Sequence, residues 1–183
     1  MVTRKTVGAV VGSLGLVLTS ALVSGAVSVP WAAGPAALRP AVAPWAGHLA
    51  MVDEALRAGD VTAAQKAWHA AYGAALGSRR WEGFADTGDA YLRIGRASGS
   101  PAAGVPRARD LYLSALFRAR DVGSLDGVLR VAASFDALGD REVTVQAVRM
   151  AHRLAARGAT PAQRAQLARL PVADKPDTIP ADI

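Results

Sequence analysis

Two carboxylates three residues apart, Asp86 and Asp89, are the clearest candidates for chemistry in this sequence. On a helix this spacing puts both side chains on one side, where paired carboxylates can act as general acid and base in a hydrolysis. A charged helix face exposed to solvent produces the same spacing, and Asp53 with Glu54 forms a similar pair. We therefore interpret these carboxylates as surface charges and not as a hydrolytic pair.

Other residue types that build reaction centres are scattered or missing from the sequence. His48, His69 and His152 are isolated, and none has the spacing of a zinc-binding motif. The chain has no cysteine, which excludes a disulfide, a thiolate metal site and a cysteine nucleophile. It contains neither a nucleophile elbow nor a phosphate-binding glycine loop. The sequence therefore predicts a protein that is not an enzyme and that has no cofactor or metal site.

The tryptophans allow one alternative to this non-catalytic interpretation. Trp68 and Trp81 fall in two neighbouring predicted helices, and such side chains usually fill the seam where helices pack. A pocket built from Trp68 and Trp81 would instead suit a small-ligand carrier or an enzyme, and this alternative stays open.

The elements that must position these residues are predicted to be helices. Apolar residues make up 51% of the chain and aromatic residues only 5%, and much of the apolar content is alanine, the strongest helix former. A small-residue helix, a turn with glycine and a second alanine-rich helix recur three times, with turns at Gly59–Asp60, Gly95–Arg96 and Gly139–Asp140. Such hairpins bury their apolar faces by stacking, so the sequence predicts an all-α array of three hairpins.

The first and third hairpins have clear helix boundaries. The first helix is predicted over residues 46–57, with Gly59 ending it and Asp60 capping the next helix. The third hairpin opens at Ser124, and its turn lies at Gly139 and Asp140.

The second hairpin and the final helix are assigned from weaker features. Ser78 is predicted to cap the second hairpin's first helix and Gly95 to end it, followed by a longer loop over residues 97–104. Pro106 is predicted to lie in the first turn of the next helix. A capping box that begins at Thr160 predicts a last helix, which would cover the exposed end of the array.

The N-terminal region carries the features of an export segment. Arg4 and Lys5 precede 23 residues without a charge, residues 7–29, which is long enough to cross a bilayer as a helix. Residues 1–29 are therefore either a cleaved signal peptide or a retained transmembrane anchor. Both interpretations place the rest of the chain outside the cytoplasm, facing the periplasm or another extracytoplasmic space, or secreted. Residues 30–45 are predicted to be a proline-rich linker, and residues 171–183 a disordered tail.

The positive charge of the chain does not indicate nucleic-acid binding. The formal charge is +6, and removing Arg4 and Lys5 leaves 19 basic against 15 acidic residues. These charges are interspersed and form no basic stripe, so we expect no nucleic-acid partner.

The hairpins resemble the tetratricopeptide repeat family in the positions of small and aromatic residues. The family's pattern of large, small and aromatic positions matches the second hairpin at Phe84, Gly88, Tyr91, Ala108, Tyr112 and Ala115, and the third at Val128, Ala132, Phe135, Thr144, Val148 and Ala151. The first hairpin matches less well, at His48, Val52, Ala55, Ala64, Trp68 and Ala71. The spacing of the turns, 36 and then 44 residues, departs from the family's 34, and the proline that usually closes each repeat is absent.

This resemblance implies a right-handed array over residues 46–170 whose first helices line a concave groove. The charged residues that it places toward the groove are Asp53, Arg57, Glu82, Asp86, Asp89, Arg93, Asp126, Arg130 and Asp136. An acid-leaning groove suits a peptide with basic residues, so the resemblance implies a scaffold or assembly factor that binds a segment of another protein. The alternative is a permanent subunit of a larger membrane complex. A close helix contact is also expected at Gly88.

Overall fold

The computed structural model describes residues 42–170, and all regular structure in this range is helical, which confirms the predicted all-α class. Seven helices occur in this range: α1 (Ala46–Arg57), α2 (Val61–Ser78), α3 (Trp81–Ala97), α4 (Pro101–Asp121), α5 (Leu125–Leu138), α6 (Arg141–Ala155) and α7 (Pro161–Leu167). Short turns of two to five residues join them, as in antiparallel helical hairpins.

Four helices begin at the side-chain caps that the sequence predicts. The carboxylate of Asp60 accepts a hydrogen bond from the Ala63 amide at 2.8 Å, and Ser124 and Asp140 cap α5 and α6 in the same way. Thr160 and Gln163 form a reciprocal capping box at α7. Each cap satisfies an amide that has no partner within its own helix, which fixes where the helix starts.

The predicted boundaries of the second hairpin are wrong in three places. Ser78 ends α2 instead of capping α3, since its hydroxyl donates to the Ala75 carbonyl at 2.7 Å. Gly95 lies buried inside α3, where its backbone approaches Gly104 of α4, so its small size serves helix packing and not a turn. The expected long loop is short, because α4 begins at Pro101 and places Pro106 in the helix interior.

Consecutive helices pack against one another along the chain, from α1 to α7. Contacts also join α1 to α3, α3 to α5 and α5 to α7, so the first helices of the pairs lie side by side. Within residues 42–170, α2, α4 and α6 make no contacts of similar extent with each other. We call α1, α3, α5 and α7 the first-helix layer, and α2, α4 and α6 the second-helix layer.

The core combines many alanines with a few large side chains. Trp45, Trp68, Tyr112 and Phe135 are its largest members, and each is at least 98% buried. Small residues let the helices approach closely, as at Gly88, where a methyl group would lie 2.7 Å from the ring of Tyr112. The close helix contact expected at Gly88 is therefore present.

Trp45 extends the folded part beyond the predicted boundary between linker and domain. It precedes α1 directly, is 1% exposed, and packs with Ala71 and Ala75 of α2. The predicted export segment over residues 1–29, the rest of the linker up to residue 41, and the tail over residues 171–183 lie outside the described residues. Among residues 42–170, no helix is both long enough and apolar enough to span a membrane.

Candidate partner-binding groove

An arginine of α5 joins the two candidate carboxylates of α3. The guanidinium of Arg130 lies 2.6 Å from a carboxylate oxygen of Asp86 and 3.0 Å from one of Asp89. Asp86 and Asp89 are three residues apart, so α3 presents both toward the same point on α5. The first-helix layer therefore carries an ion cluster, which we define as Asp86, Asp89 and Arg130.

Two buried aromatic side chains hold the carboxylates of this ion cluster. The indole Nε1 of Trp45 donates to Asp86 at 2.7 Å, and the hydroxyl of Tyr112 donates to Asp89 at 2.5 Å. Burial, together with the hydrogen bond to Asp89, raises the pKa of Tyr112 well above its usual range. Tyr112 therefore stays protonated at neutral pH and acts as a fixed donor. The two carboxylates therefore lie between the cation of Arg130 and two fixed hydrogen-bond donors.

The cation of the cluster is also stabilised in its charged form. Burial opposes the charge of Arg130, but its hydrogen bonds to Asp86 and Asp89 outweigh that effect and raise its pKa. Nearby, burial would raise the pKa of Glu82, but the hydrogen bond and charge of Arg80 lower it. Arg130 is therefore held in its cationic form and Glu82 in its anionic form at neutral pH.

The remaining predicted groove residues lie on the same layer but form separate contacts. Asp53 of α1 pairs with Arg93 of α3 at 3.0 Å, which ties two first helices together. Asp126 accepts a hydrogen bond from Gln163 of α7 at 2.7 Å. Arg57 pairs with Glu54 on its own helix. Asp136 is exposed, and among residues 42–170 no cation lies within ion-pair distance of it.

A cleft of about 530 Å³ adjoins the ion cluster at Asp89. We call it the α3–α5 cleft. Its lining comes from three helices and mixes apolar with polar side chains: Asp89, Leu92, Arg96, Pro101, Val105, Tyr112, Ser134, Ala137 and Leu138. This size and this mixture suit one or two side chains of a bound polypeptide segment, with Asp89, Arg96 and Ser134 available for hydrogen bonds.

The two tryptophans of the alternative pocket have different neighbours. Trp68 is 2% exposed, stacks on Tyr72 and donates its Nε1 hydrogen to the Thr87 carbonyl at 2.8 Å. The ring of Trp81 packs against Gly127 of α5, so closely that a methyl group added to Gly127 would lie 2.8 Å from the ring. Trp68 thus occupies the seam between α2 and α3, and Trp81 the seam between α3 and α5.

The sequence does not indicate which residues hold the carboxylates of the ion cluster. The sequence places Trp45 in the linker, and Tyr112 stands out only as a position of the repeat pattern. Leu92, Arg96 and Ser134 belong to no sequence motif. A cleft of this kind has no local signature, because it forms where three separate helices meet. One feature of the sequence could have indicated Trp45 and Tyr112: a buried indole N–H or phenol O–H requires a hydrogen-bond acceptor.

Within the described part of the chain, no group of three histidine, aspartate or glutamate side chains is placed to hold a metal ion. No protein-family model, curated protein or solved structure matches the chain.

Proposed function

We propose that residues 46–170 form a tetratricopeptide-like, right-handed helical array that binds a segment of another protein in the groove of its first-helix layer. The protein would be a non-catalytic scaffold or assembly factor. Its export segment would place the array on the outer side of a membrane, anchored through residues 7–29 or released after cleavage. The observation that carries this proposal is the α3–α5 cleft beside the ion cluster.

The contact pattern between helices supports a concave first-helix layer. α1, α3, α5 and α7 touch in succession, whereas comparable contacts within the second-helix layer are missing from residues 42–170. When two layers of helices differ in this way, the stack curves toward the layer whose members lie closer together. This curvature is what helical-hairpin arrays use to form an extended binding surface.

The charges of the groove support a basic partner. The nine predicted groove residues comprise six acidic and three basic side chains, a formal charge of −3. Asp136 is exposed, and its predicted position is on the groove side of α5, near the cleft residue Ala137. A lysine or arginine of a bound segment could pair with Asp136 while an apolar neighbour fills the cleft.

The internal pairing of the ion cluster favours a transient partner over the permanent-subunit alternative. Arg130 pairs with both Asp86 and Asp89, and Trp45 and Tyr112 each donate a hydrogen bond to one of the two carboxylates. Consequently each charged group of the ion cluster already has a partner within the chain and does not need a second chain to supply one. An array of this kind can fold first and bind afterwards.

A direct test uses the full chain, solubilised in detergent, and a library of labelled peptides. Ala137 is exposed and lines the cleft, so Ala137→Arg fills the cleft with a long cationic side chain and replaces no residue of the ion cluster. The matched control is Ala70→Arg, another exposed alanine in the middle of a helix, but in the second-helix layer. We expect the unaltered chain and Ala70→Arg to select the same basic-apolar peptides, and Ala137→Arg to lose them. Equal binding by all three chains would reject the groove as the binding surface.

A further inference from the structure

The second-helix layer carries the opposite charge to the first-helix layer. Helices α1, α3 and α5 hold seven acidic and four basic residues, whereas α2, α4 and α6 hold eight basic and three acidic residues. Arg164 of α7 adds one basic residue to the first-helix layer, so the two layers have formal charges of −2 and +5. The basic layer contains a recess of its own, at the ends of α4 and α6.

Three arginines surround this recess, which has a volume of about 200 Å³. Arg120 comes from the last turn of α4, Arg153 from the last turn of α6, and Arg157 follows α6. Met150 and Leu154 form its apolar floor. We call this site the arginine recess.

Two of these arginines have no carboxylate partner within residues 42–170. Arg120 is paired with Asp121 at 2.7 Å. No carboxylate among residues 42–170 lies within ion-pair distance of Arg153 or Arg157. The carbonyl ends of α4 and α6 offset part of the positive charge, but each helix end is equivalent to only about half a negative charge. The recess therefore remains positive and suits an anionic group.

Exposed apolar side chains stand beside the arginines. The guanidinium of Arg120 lies 5.1 Å from the centre of the Phe117 ring, and Phe117 is 46% exposed. Val122, one residue beyond α4, is 71% exposed. Arginines next to exposed aromatic and aliphatic side chains are characteristic of surfaces that lie in the interface of a bilayer.

We infer that the arginine recess binds the phosphate of an anionic lipid headgroup, with Phe117 and Val122 entering the interface beside it. The size of the recess favours a single phosphate group over an extended acidic peptide. This contact would turn the second-helix layer toward the bilayer and leave the α3–α5 cleft open to a partner. The inference shares with the proposed function only the placement of the chain at a membrane, and it does not require that the groove bind anything.

Because the chain has no cysteine, a single introduced cysteine is the only thiol that a label can modify, which makes a site-specific test possible. The full chain with Val122→Cys carries a fluorophore and is reconstituted into vesicles that contain a headgroup-attached quencher. The vesicles consist of phosphatidylcholine alone or mixed with phosphatidylglycerol. A label at Ala133→Cys, on the exposed surface of α5, serves as the control position. We expect quenching at position 122 only in the mixed vesicles, and none at position 133.

Charge variants test whether the arginine recess causes the quenching at position 122. Arg153→Gln combined with Arg157→Gln should weaken the docked state by about 25-fold, since each arginine near an anionic surface contributes roughly fivefold. Arg141→Gln combined with Arg164→Gln removes the same charge from exposed positions outside the recess and should leave most of the quenching intact. Far-UV circular dichroism checks that each variant is folded.

Three results would overturn the inference. The first is quenching that does not depend on phosphatidylglycerol. The second is quenching that the two variant pairs reduce equally. The third is binding of a polyglutamate peptide that requires Arg153 and Arg157, without any lipid-dependent quenching. The last would assign the recess to an acidic protein segment. None of these results affects peptide binding in the cleft, so the proposed function stands or falls separately.

Discussion

At the scale of single residues, the contact between Gly88 and Tyr112 links helix packing to the ion cluster. Tyr112 is 1% exposed, its ring covers Gly88 of α3, and its hydroxyl holds Asp89 one residue further along α3. The same side chain therefore sets the distance between α3 and α4 and fixes one carboxylate of the ion cluster. Because the hydroxyl is held, the ring has little freedom to move aside.

Gly88→Ala is expected to lower the free energy of unfolding by about 1–3 kcal/mol, because the new methyl group would lie 2.7 Å from the Tyr112 ring. Gly73→Ala is the matched control: Gly73 is exposed in α2, and nothing lies within 4 Å of the added methyl group. That control should raise stability by about 0.5–1 kcal/mol, because alanine loses less backbone entropy in a helix. Urea unfolding of both variants measures the difference, and changes of the same sign would contradict this account of the contact.

The raised pKa of Tyr112 predicts a loss of stability in alkali. In the unfolded chain the phenol ionises near pH 10, while in the folded chain it stays protonated to higher pH. The unfolded state therefore binds fewer protons above about pH 10, and stability falls there by up to roughly 1.4 kcal/mol per pH unit. Below that pH this contribution is fully present.

Tyr112→Phe should remove this alkaline decline. At neutral pH the variant is expected to be about 1 kcal/mol less stable, because the hydrogen bond to Asp89 is lost. Its stability should then change less between pH 9 and pH 12 than that of the unaltered chain, so the two curves approach each other. Tyr91→Phe, which leaves Tyr112 in place, should keep the decline. Parallel curves for the unaltered chain and Tyr112→Phe would refute the assignment.

At the scale of helices, the sequence predicted the helix starts that depend only on neighbouring residues. Asp60, Ser124, Asp140 and Thr160 are caps in the structure because a side-chain acceptor at a helix start needs only its own neighbouring amides. The sequence alone places Gly95 in a turn, because glycine serves both turns and close helix contacts. Only the presence of Gly104 on the facing helix distinguishes the two roles.

The start of α4 also differs from the position predicted from local sequence, and proline substitutions can test where the helix begins. The structure begins this helix at Pro101, so Pro106 lies in its interior, where an amide would otherwise bond to the Ala102 carbonyl. Pro106→Ala should therefore raise the free energy of unfolding by about 1–2 kcal/mol, after the gain in unfolded-state entropy is subtracted. Pro101→Ala, at the first helical position, should lower it by up to about 1 kcal/mol. A destabilising Pro106→Ala would place the helix start near residue 105 instead.

At the scale of the whole molecule, the sequence predicted the all-α class, but not how the charged residues of different helices pair. Arg130 follows Asp86 and Asp89 by more than 40 residues, and their contact depends on how α3 and α5 lie side by side. The cleft depends on the same geometry, because three separate helices line it. The separation of charge between the two helix layers could be read from the sequence once the pairing of helices was known.

The central claim is that the α3–α5 cleft is the surface on which another polypeptide lies. Its most direct test is photo-crosslinking in intact membranes, with a photoreactive amino acid placed at Ala137 in the cleft or at Ala70 in the second-helix layer. Mass spectrometry of the adducts identifies the attached residues. We expect a recurring adduct with one segment of a second protein at position 137 and none at position 70. Adducts that are equal at both positions, or confined to position 70, would contradict it.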